Sequence, residues 1–350
     1  MNALKILKKL EDFRLLPFFV IISIIAGILI GKELGISEFQ LTPPIDAIKQ
    51  ILSGTFTLTI PNALSLGVPV GLFLMIYPAM TNVRIEDIGN ALKAKKQLAI
   101  VLLFNFAVAP FFMLLLANLF VGDPEFHTGV VLYGLAPCIA MVIVFTYLAK
   151  GNNALALVLV AFNSILQMIL IPVYASLLIG NVNFDVFIVA ESVILYLGIP
   201  LLFGVMTRKY CIKRYGEKEF ENKFTPILSA LSIIGLLFTL IVMFSLKGDV
   251  ILETPGIILI IALPITIFFI IMFAVVYLVS WKLKLNYEDS VACAFNSTGR
   301  DFEIAIAIAI TAFTPAVALA TVVGPLIEVP VMLFLVWAAK NSKSKLFTEK

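Results

Sequence analysis

The chain has 350 residues, of which 61% are hydrophobic and only 13% are charged, and its mean hydropathy is +1.08. A soluble globular domain carries about 25% charged residues, so this composition excludes the soluble class. The formal net charge of +3 is too small to favour a nucleic-acid partner. Apolar segments long enough to cross a hydrocarbon core of about 30 Å recur along the chain. The composition therefore predicts an all-α polytopic membrane protein embedded in a lipid bilayer.

The apolar segments predict ten transmembrane helices, joined by short connections in one transmembrane domain that covers residues 1–350. Basic residues before the first apolar run resemble a signal peptide. No small-residue cleavage site follows, so this run is predicted to be the first membrane helix. The predicted helices cover about 15–31, 58–81, 98–121, 128–149, 154–179, 184–206, 226–246, 256–280, 289–313 and 315–338.

The distribution of positive charge predicts the orientation of these helices. With a cytoplasmic N-terminus and ten crossings, 21 of the 25 lysine and arginine residues lie on cytoplasmic segments and three on outer segments. Arg300 alone lies within the membrane. Cytoplasmic loops of membrane proteins carry an excess of lysine and arginine, so both termini are predicted to be cytoplasmic in a multi-pass protein of the cell membrane.

Ten helices divide into two sets of five, about 15–179 and about 184–338. An odd number of helices in each half makes the second half insert upside down, and this inverted repeat is typical of secondary transporters. The two halves share no convincing sequence identity, so the repeat is an inference from topology.

Two helices carry interruptions at equivalent ranks in the two halves. The fourth contains Gly134–Cys138, in which Pro137 removes a backbone donor and clashes with the preceding turn. The ninth contains the polar run Asn296–Glu303. Such broken helices are expected to cross near the middle of the bilayer and to form an ion or substrate site from their exposed N–H and C=O ends. Two ordinary kinks are the alternative interpretation.

The run in the ninth helix places Arg300, Asp301 and Glu303 in about one helical turn. Ionisable groups inside a membrane must face protein, water or each other, so this cluster predicts a functional site. Glu303 is the first candidate for a coupling carboxyl that exchanges a proton or binds a cation. The alternative is that Arg300 neutralises Glu303, although Asp301 competes for the same arginine.

Further polar residues lie in predicted membrane helices. Glu328, between two prolines of the tenth helix, is either a second proton or cation ligand or an acceptor for backbone groups. Asn163 and Gln167 lie on one face of the fifth helix. With Asn296 and a carboxylate, their neutral oxygens would make a Na⁺ site, but interhelical hydrogen bonds are an equal alternative. Asn105 has the same ambiguity.

Three cysteines without a CxxC spacing predict no disulfide framework, and the single His127 cannot build a histidine metal site. The sequence therefore predicts no metal site and no cofactor. No metalloprotease motif or nucleophile elbow occurs either, so an enzyme is not predicted. Cys138 directly follows Pro137 at the predicted break. A buried cysteine is most often a small hydrophobe, but a thiol at this position would suit a soft, thiophilic substrate.

Four stretches of the sequence, in order along the chain, are similar to those of the arsenite efflux permeases of the bile acid/sodium symporter superfamily. The stretches are Gly71–Pro78 with Val83–Gly89, Leu135–Val142 with Leu148–Asn152, Phe302–Ala307, and Ala318–Gly324 with Glu328–Met332. The resemblance implies ten helices in two inverted five-helix repeats, with broken fourth and ninth helices that cross. It also implies arsenite efflux, sometimes with antimonite, driven by proton entry, with the essential cysteine at Cys138 and the essential glutamate at Glu303.

The chain departs from the family pattern directly before Phe302. Gly299, Arg300 and Asp301 stand where the family has small neutral residues and asparagine. The added cation, together with Pro137 and Cys138, is predicted to lie at the substrate site. The leading hypothesis is an arsenite–proton antiporter that works by alternating access. The alternative is a sodium-coupled importer of an organic anion, with Arg300 on the anion and Asn163, Gln167 and Glu303 on Na⁺.

Overall fold

The computed structural model describes residues 16–34, 53, 60–83, 94–139, 141–179, 184–253 and 256–347. Within these residues the secondary structure is helical, apart from turns and one isolated backbone bridge. The basic residues before the first helix and the Arg84–Gly89 part of the resemblance lie outside the described residues. The described part of the chain forms an all-α polytopic membrane protein, as predicted.

The first half of the chain contributes six helices to the described residues. These are α1 (Leu16–Leu34), α2 (Ile60–Thr81), α3 (Lys95–Phe120), α4 (Pro124–Leu135), α5 (Met141–Leu148) and α6 (Asn153–Leu178). The interruption predicted in the fourth membrane helix corresponds to the gap between α4 and α5. In α3, a π-helical segment covers Leu103–Val108.

The described part of the second half contributes six more helices, besides the short helical segments Glu217–Glu219 and Phe220–Phe224. These are α7 (Val186–Tyr215), α8 (Thr225–Glu253), α9 (Gly256–Lys282), α10 (Tyr287–Thr298), α11 (Phe302–Ala312) and α12 (Pro315–Leu346). The interruption predicted in the ninth membrane helix corresponds to Gly299–Asp301, between α10 and α11.

Six helical segments of the described residues are long and apolar enough to cross a membrane. They are α3, α6, α7, α9, the Ala316–Leu346 part of α12, and Glu217–Ser245, which includes most of α8. Three helices end well beyond the predicted boundaries, α7 at Tyr215, α8 at Glu253 and α12 at Leu346. The extensions of α7 and α12 are rich in lysine and arginine, which favour helix but lack the apolar character used to place the boundaries.

The helices pack in two groups. α8 lies against α1 and α2, and α7 packs on α2, whereas α9, α10, α11 and α12 pack with one another and with α3, α4 and α5. Small residues permit the close approach of α2 and α8. A Cβ atom added to Gly235 would lie 2.7 Å from the Met75 backbone nitrogen. Such small-residue contacts are common in membrane helix packing, where lipid supplies no hydrophobic force between helices.

Hydrogen bonds tie the helix termini together at one end of the bundle. Asp289, in the first turn of α10, accepts hydrogen bonds from Gln97 Nε2 at 2.9 Å and from Asn152 Nδ2 at 2.8 Å. Lys343 near the end of α12 pairs with Glu288 at 2.9 Å. These contacts hold the starts of α3, α6 and α10 at one level, so the register of α10 relative to its neighbours is fixed.

Candidate functional site

The two interruptions lie against each other and are joined by backbone hydrogen bonds. The Cys138 N–H donates to the Gly299 carbonyl at 3.0 Å, and the Asp301 N–H donates to the Ala136 carbonyl at 2.8 Å. Helix ends leave backbone groups without intrahelical partners, and these two bonds satisfy four of those groups. We call the paired segments, Ala136–Ile139 and Gly299–Asp301, the helix-break crossing.

Pro137 occupies the position in this pairing that needs no amide proton. It lies opposite Arg300 in an antiparallel bridge, and the flanking residues make the hydrogen bonds. In antiparallel pairing, every second pair of opposite residues exchanges no hydrogen bonds. The missing N–H of Pro137 therefore leaves no acceptor unsatisfied, while its ring still ends α4.

Gly299 allows the two segments to approach this closely. A Cβ atom added at Gly299 would lie 2.5 Å from Val142 Cγ1 and 3.0 Å from Cys138 Cβ. Real Cβ atoms do not come that close to other carbon atoms, so a larger residue would push the segments apart. Glycine is the usual residue where backbones must meet.

Asp301 caps the N-terminus of α11. Its Oδ1 accepts a hydrogen bond from the Ile304 N–H at 3.0 Å. This cap and the positive end of the helix dipole stabilise the carboxylate within the protein. The second oxygen, Oδ2, is buried and has no hydrogen-bond partner among the described residues. Asp301 thus combines a structural role with one carboxylate oxygen that remains available to a proton or a cation.

The fully buried side chain of Arg300 points to oxygen atoms at the ends of helices. Its Nε donates to the Thr298 carbonyl at 3.2 Å, Nη1 to the Gly134 carbonyl at 3.3 Å, and Nη2 to Asn105 Oδ1 at 2.7 Å and to the Ser297 carbonyl. The ion pairs of the described residues do not include Arg300. The structure therefore gives no support to neutralisation of Glu303 by Arg300.

Two further carboxyl groups lie beside the crossing. Glu303, 5% exposed in the first turn of α11, interacts electrostatically with Asp301 and Glu328. Glu328 is fully buried in α12, and its Oε2 accepts a hydrogen bond from the Tyr133 hydroxyl at 3.0 Å. Three carboxyl groups against one guanidinium leave two negative charges to be cancelled when all are ionised. This excess negative charge must be neutralised by bound protons or cations.

The structure brings together only some of the amide side chains that the sequence predicted to lie at the site. Asn105 Nδ2 donates to Asn163 Oδ1 at 3.2 Å and to the Asn296 carbonyl at 3.0 Å, so Asn163 joins the network that holds Arg300. The Asn296 side chain donates to the Ala292 carbonyl at 2.9 Å. Gln167 is buried, and neither of its side-chain polar atoms has a hydrogen-bond partner among the described residues. It lies outside the Asn105 network.

Cys138 lies within the gap between α4 and α5, where the residue is buried with 1% of its surface exposed. Its backbone is bonded to Gly299, so the thiol is held within the helix-break crossing. The other two thiols, Cys211 and Cys293, are buried on α7 and α10, away from the break segments. Only Cys138 therefore combines a thiol with the crossing.

Two contributors to the site were not anticipated. Tyr133 supplies the hydrogen bond to Glu328, and Phe268 lies with its ring centroid 5.1 Å from the Arg300 guanidinium carbon. Neither has a sequence signature, because apolar membrane helices contain many aromatic residues. Asn105, whose role the sequence left open, lies in the π-helical segment of α3. Such π-bulges are frequent at functional sites. The π-helical segment is therefore the feature that would have marked Asn105 as a site residue.

Comparison with known proteins places the chain among membrane transporters. The model of the Sodium Bile acid symporter family matches residues 69–254. The chain is 34% identical over 347 residues to "Arsenical-resistance protein Acr3" of Corynebacterium glutamicum, covering 95% of this chain and 90% of that protein. It is 37% identical over 342 residues to the protein of the same name from Alkaliphilus metalliredigens, covering 89% and 95%. An uncharacterized transporter of Synechocystis is 34% identical over 353 residues, covering 93% and 88%.

Proposed function

Because the chain belongs to the Sodium Bile acid symporter family, whose members are transporters, we propose that it is a secondary active transporter that exports arsenite. Two relatives that carry arsenical-resistance names align with nearly all of the chain, and this fixes the substrate class of the proposal. The observation that carries the mechanism is the helix-break crossing, which joins the Asp301 carboxyl group and the Cys138 thiol and has two further buried carboxyl groups beside it.

The architecture of the proposal is ten membrane helices in two inverted sets of five. The helix pair α4–α5 counts as the fourth span and α10–α11 as the ninth, so the two broken spans hold equivalent ranks. Discontinuous helices of this kind bind substrates and coupling ions near the middle of the bilayer in secondary transporters. Both termini face the cytoplasm, and the protein lies in the cell membrane.

Cys138 is the arsenite ligand in this proposal. Arsenite at neutral pH is uncharged As(OH)₃, and trivalent arsenic is soft and prefers sulfur. When the thiol attacks arsenic, an As–S bond forms, and the thiol proton leaves with one hydroxide as water. Hydrolysis reverses the step on the other side of the membrane. The position of Cys138 in the crossing supports this role.

Glu303 is the coupling carboxyl. It lies in the first turn of α11 beside Asp301, and the three carboxyl groups of the site outnumber its one guanidinium. A proton that enters from outside cancels charge and lowers the cost of burying the carboxyl, whereas its release to the cytoplasm restores that cost. The two protonation states favour different conformations, so proton entry drives arsenite exit by alternating access.

A second candidate function is sodium-coupled import of an organic anion. The family's name supports it, as do the buried amide atoms of Gln167 that have no hydrogen-bond partner among the described residues. In this alternative, Asn163, Gln167 and Glu303 would bind Na⁺ and Arg300 would bind the anion.

Growth and vesicle assays separate the two functions. Expression of the chain in a host that lacks its own arsenite efflux should restore growth in arsenite, while vesicles should show no sodium-driven uptake of taurocholate, an organic anion. Failure to restore growth, with the protein present in the membrane, contradicts arsenite export. Sodium-driven taurocholate uptake would establish the second candidate instead.

A further inference from the structure

Arg300 sits where the C-terminal ends of two helices meet. The Gly134 carbonyl belongs to the last turn of α4, and the Ser297 and Thr298 carbonyls belong to the last turn of α10. The last carbonyls of a helix have no intrahelical donors and carry the negative end of the helix dipole. A positive charge between two such ends inside a protein is stabilised by both of them.

The acceptors around this guanidinium are all oxygen atoms. Three are backbone carbonyls and one is Asn105 Oδ1, and they come from α4, α10 and α3. Carbonyl and amide oxygens of this type bind hard cations, and secondary transporters use unwound carbonyls and helix C-terminal ends for coupling ions. The Arg300 side chain itself fills that set of ligands.

We propose that Arg300 is a tethered cation, which takes the place of an inorganic coupling cation at the helix-break crossing and makes the transport cycle independent of sodium. This inference rests on the proposed function and deepens it, because it assigns the coupling-ion selectivity to one residue. A guanidinium keeps its charge throughout the physiological pH range, so it neither titrates nor dissociates during the cycle.

The burial of Arg300 and its contact with one aromatic ring hold this charge at the crossing. Arg300 is 0% exposed, and its guanidinium carbon lies 5.1 Å from the centroid of the Phe268 ring, a distance at which a cation and a ring face attract. The ion pairs of the described residues do not include this side chain. The guanidinium also interacts electrostatically with Glu328. Its hydrogen bonds go to the helix ends and to Asn105, so the carboxyl groups of Asp301 and Glu303 are left for protons.

Removal of the tethered charge should create a requirement for a free cation. In Arg300→Ala the carbonyl oxygens of α4 and α10 remain, but nothing neutralises them. A small cation of the same chemistry, guanidinium, is expected to occupy the site. Arg300→Lys keeps a tethered charge and is expected to keep independence from added cations, at a lower rate because an ammonium cannot reproduce the planar fork.

The matched control is Arg208→Ala. Arg208 is also buried, at 3% exposure, and also lies over an aromatic ring, that of Phe220 at 5.2 Å. It belongs to α7 and lies outside the crossing. Comparison of Arg208→Ala with Arg300→Ala therefore separates the effect of losing any buried arginine from the effect of losing the tethered cation.

The experiment uses the purified full chain in proteoliposomes, with arsenite flux measured in sodium buffer and in choline buffer. Wild type should show equal flux in both. Arg300→Ala should lose flux about tenfold or more in choline, since charge-assisted hydrogen bonds are lost, and millimolar guanidinium chloride should restore it. Arg208→Ala should show no response to guanidinium. Sodium-dependent flux of wild type, or full flux of Arg300→Ala without any cation, overturns the proposal.

A second measurement needs no arsenite. The thermal unfolding midpoint in detergent should rise with guanidinium for Arg300→Ala and stay constant for wild type and Arg208→Ala. Sodium should not raise the midpoint of wild type above that in choline. If wild type moves no arsenite, the proposed function fails while this binding measurement still decides the inference. If Arg300→Ala does not fold, wild type and Arg300→Lys decide the inference. A higher unfolding midpoint of wild type in sodium than in choline overturns it. Equal midpoints of wild type in the two buffers, together with arsenite flux by Arg300→Lys that needs no added cation, support it.

Discussion

At the residue scale, each charged group of the helix-break crossing is matched to a backbone group that the broken helices expose. Asp301 caps the start of α11, and Arg300 donates hydrogen bonds to the carbonyl oxygens at the ends of α4 and α10. Burial of an ionised group costs several kcal/mol unless it is paired or hydrogen-bonded. Among the described residues, the side-chain partners of Glu303 are the carboxyl groups of Asp301 and Glu328, and neither of them carries a positive charge. This is why we assign Glu303 the exchangeable charge.

The thiol assignment predicts opposite outcomes for two buried cysteines. Cys138→Ser should abolish arsenite resistance, because a hydroxyl oxygen is hard and does not replace sulfur as a ligand for trivalent arsenic. Cys293→Ser should preserve resistance, since Cys293 lies on α10 with its thiol near the Gln97 carbonyl, 3.9 Å away. The measurement is growth in arsenite at matched protein levels. Retained resistance of Cys138→Ser would remove thiol chemistry from the mechanism.

Glu328 and Glu303 are expected to differ in role. The Glu328 carboxylate is held by the Tyr133 hydroxyl, and a glutamine amide oxygen can still accept that hydrogen bond. Glu328→Gln should therefore keep proton-driven arsenite accumulation within about threefold of wild type. Vesicle transport with an imposed pH gradient measures this. Complete loss of accumulation in Glu328→Gln, with arsenite exchange intact, would transfer the coupling role to Glu328.

At the element scale, the geometry of the crossing depends on the absence of a side chain at one position. Gly299→Ala should reduce arsenite flux and lower the free energy of unfolding by about 1–3 kcal/mol, because the added Cβ would overlap Val142 and push the break segments apart. Thermal unfolding and flux of the purified protein measure the two effects. The control is Gly256→Ala at the start of α9, where an added Cβ meets nothing within 4 Å. Equal behaviour of the two variants would contradict the close packing.

The sequence could predict where the two membrane helices are interrupted, but not what each polar side chain contacts. Pro137 and the charged run before Phe302 both break a helix for reasons that are local to the chain, so the gaps before α5 and α11 follow from sequence. The acceptors of Arg300 are mostly backbone carbonyls, and every residue has one. Only the three-dimensional approach of α4 to α10 selects which carbonyls they are.

At the scale of the whole molecule, the proposal requires ten crossings with both termini in the cytoplasm. Alkaline phosphatase inserted after Gly122, between α3 and α4, should be active because this enzyme folds only outside the cytoplasm. The same reporter inserted after Gly151, between α5 and α6, should be inactive, since the positive-inside rule places Lys150 in the cytoplasm. Activity at both positions would mean that α4 and α5 do not together form one crossing.

The proposed inverted repeat would account for the presence of two short helix pairs, α4–α5 and α10–α11, rather than two continuous helices at the crossing. Each pair supplies one C-terminal end and one N-terminal end to the crossing, so backbone dipoles of both signs meet there. A site built this way can stabilise a fixed cation and a titratable carboxyl side by side. Alternating exposure of that site to the two sides of the membrane is then sufficient for coupled transport.

Proton-driven arsenite accumulation in everted membrane vesicles tests the central claim most directly, with wild type compared to Glu303→Gln. The claim is that the charge of Glu303 at the crossing must be cancelled by a proton in every cycle. An acidic vesicle interior should drive arsenite accumulation by wild type, whereas Glu303→Gln should exchange arsenite without accumulating it. Accumulation by Glu303→Gln that equals wild type under the same gradient would contradict the account.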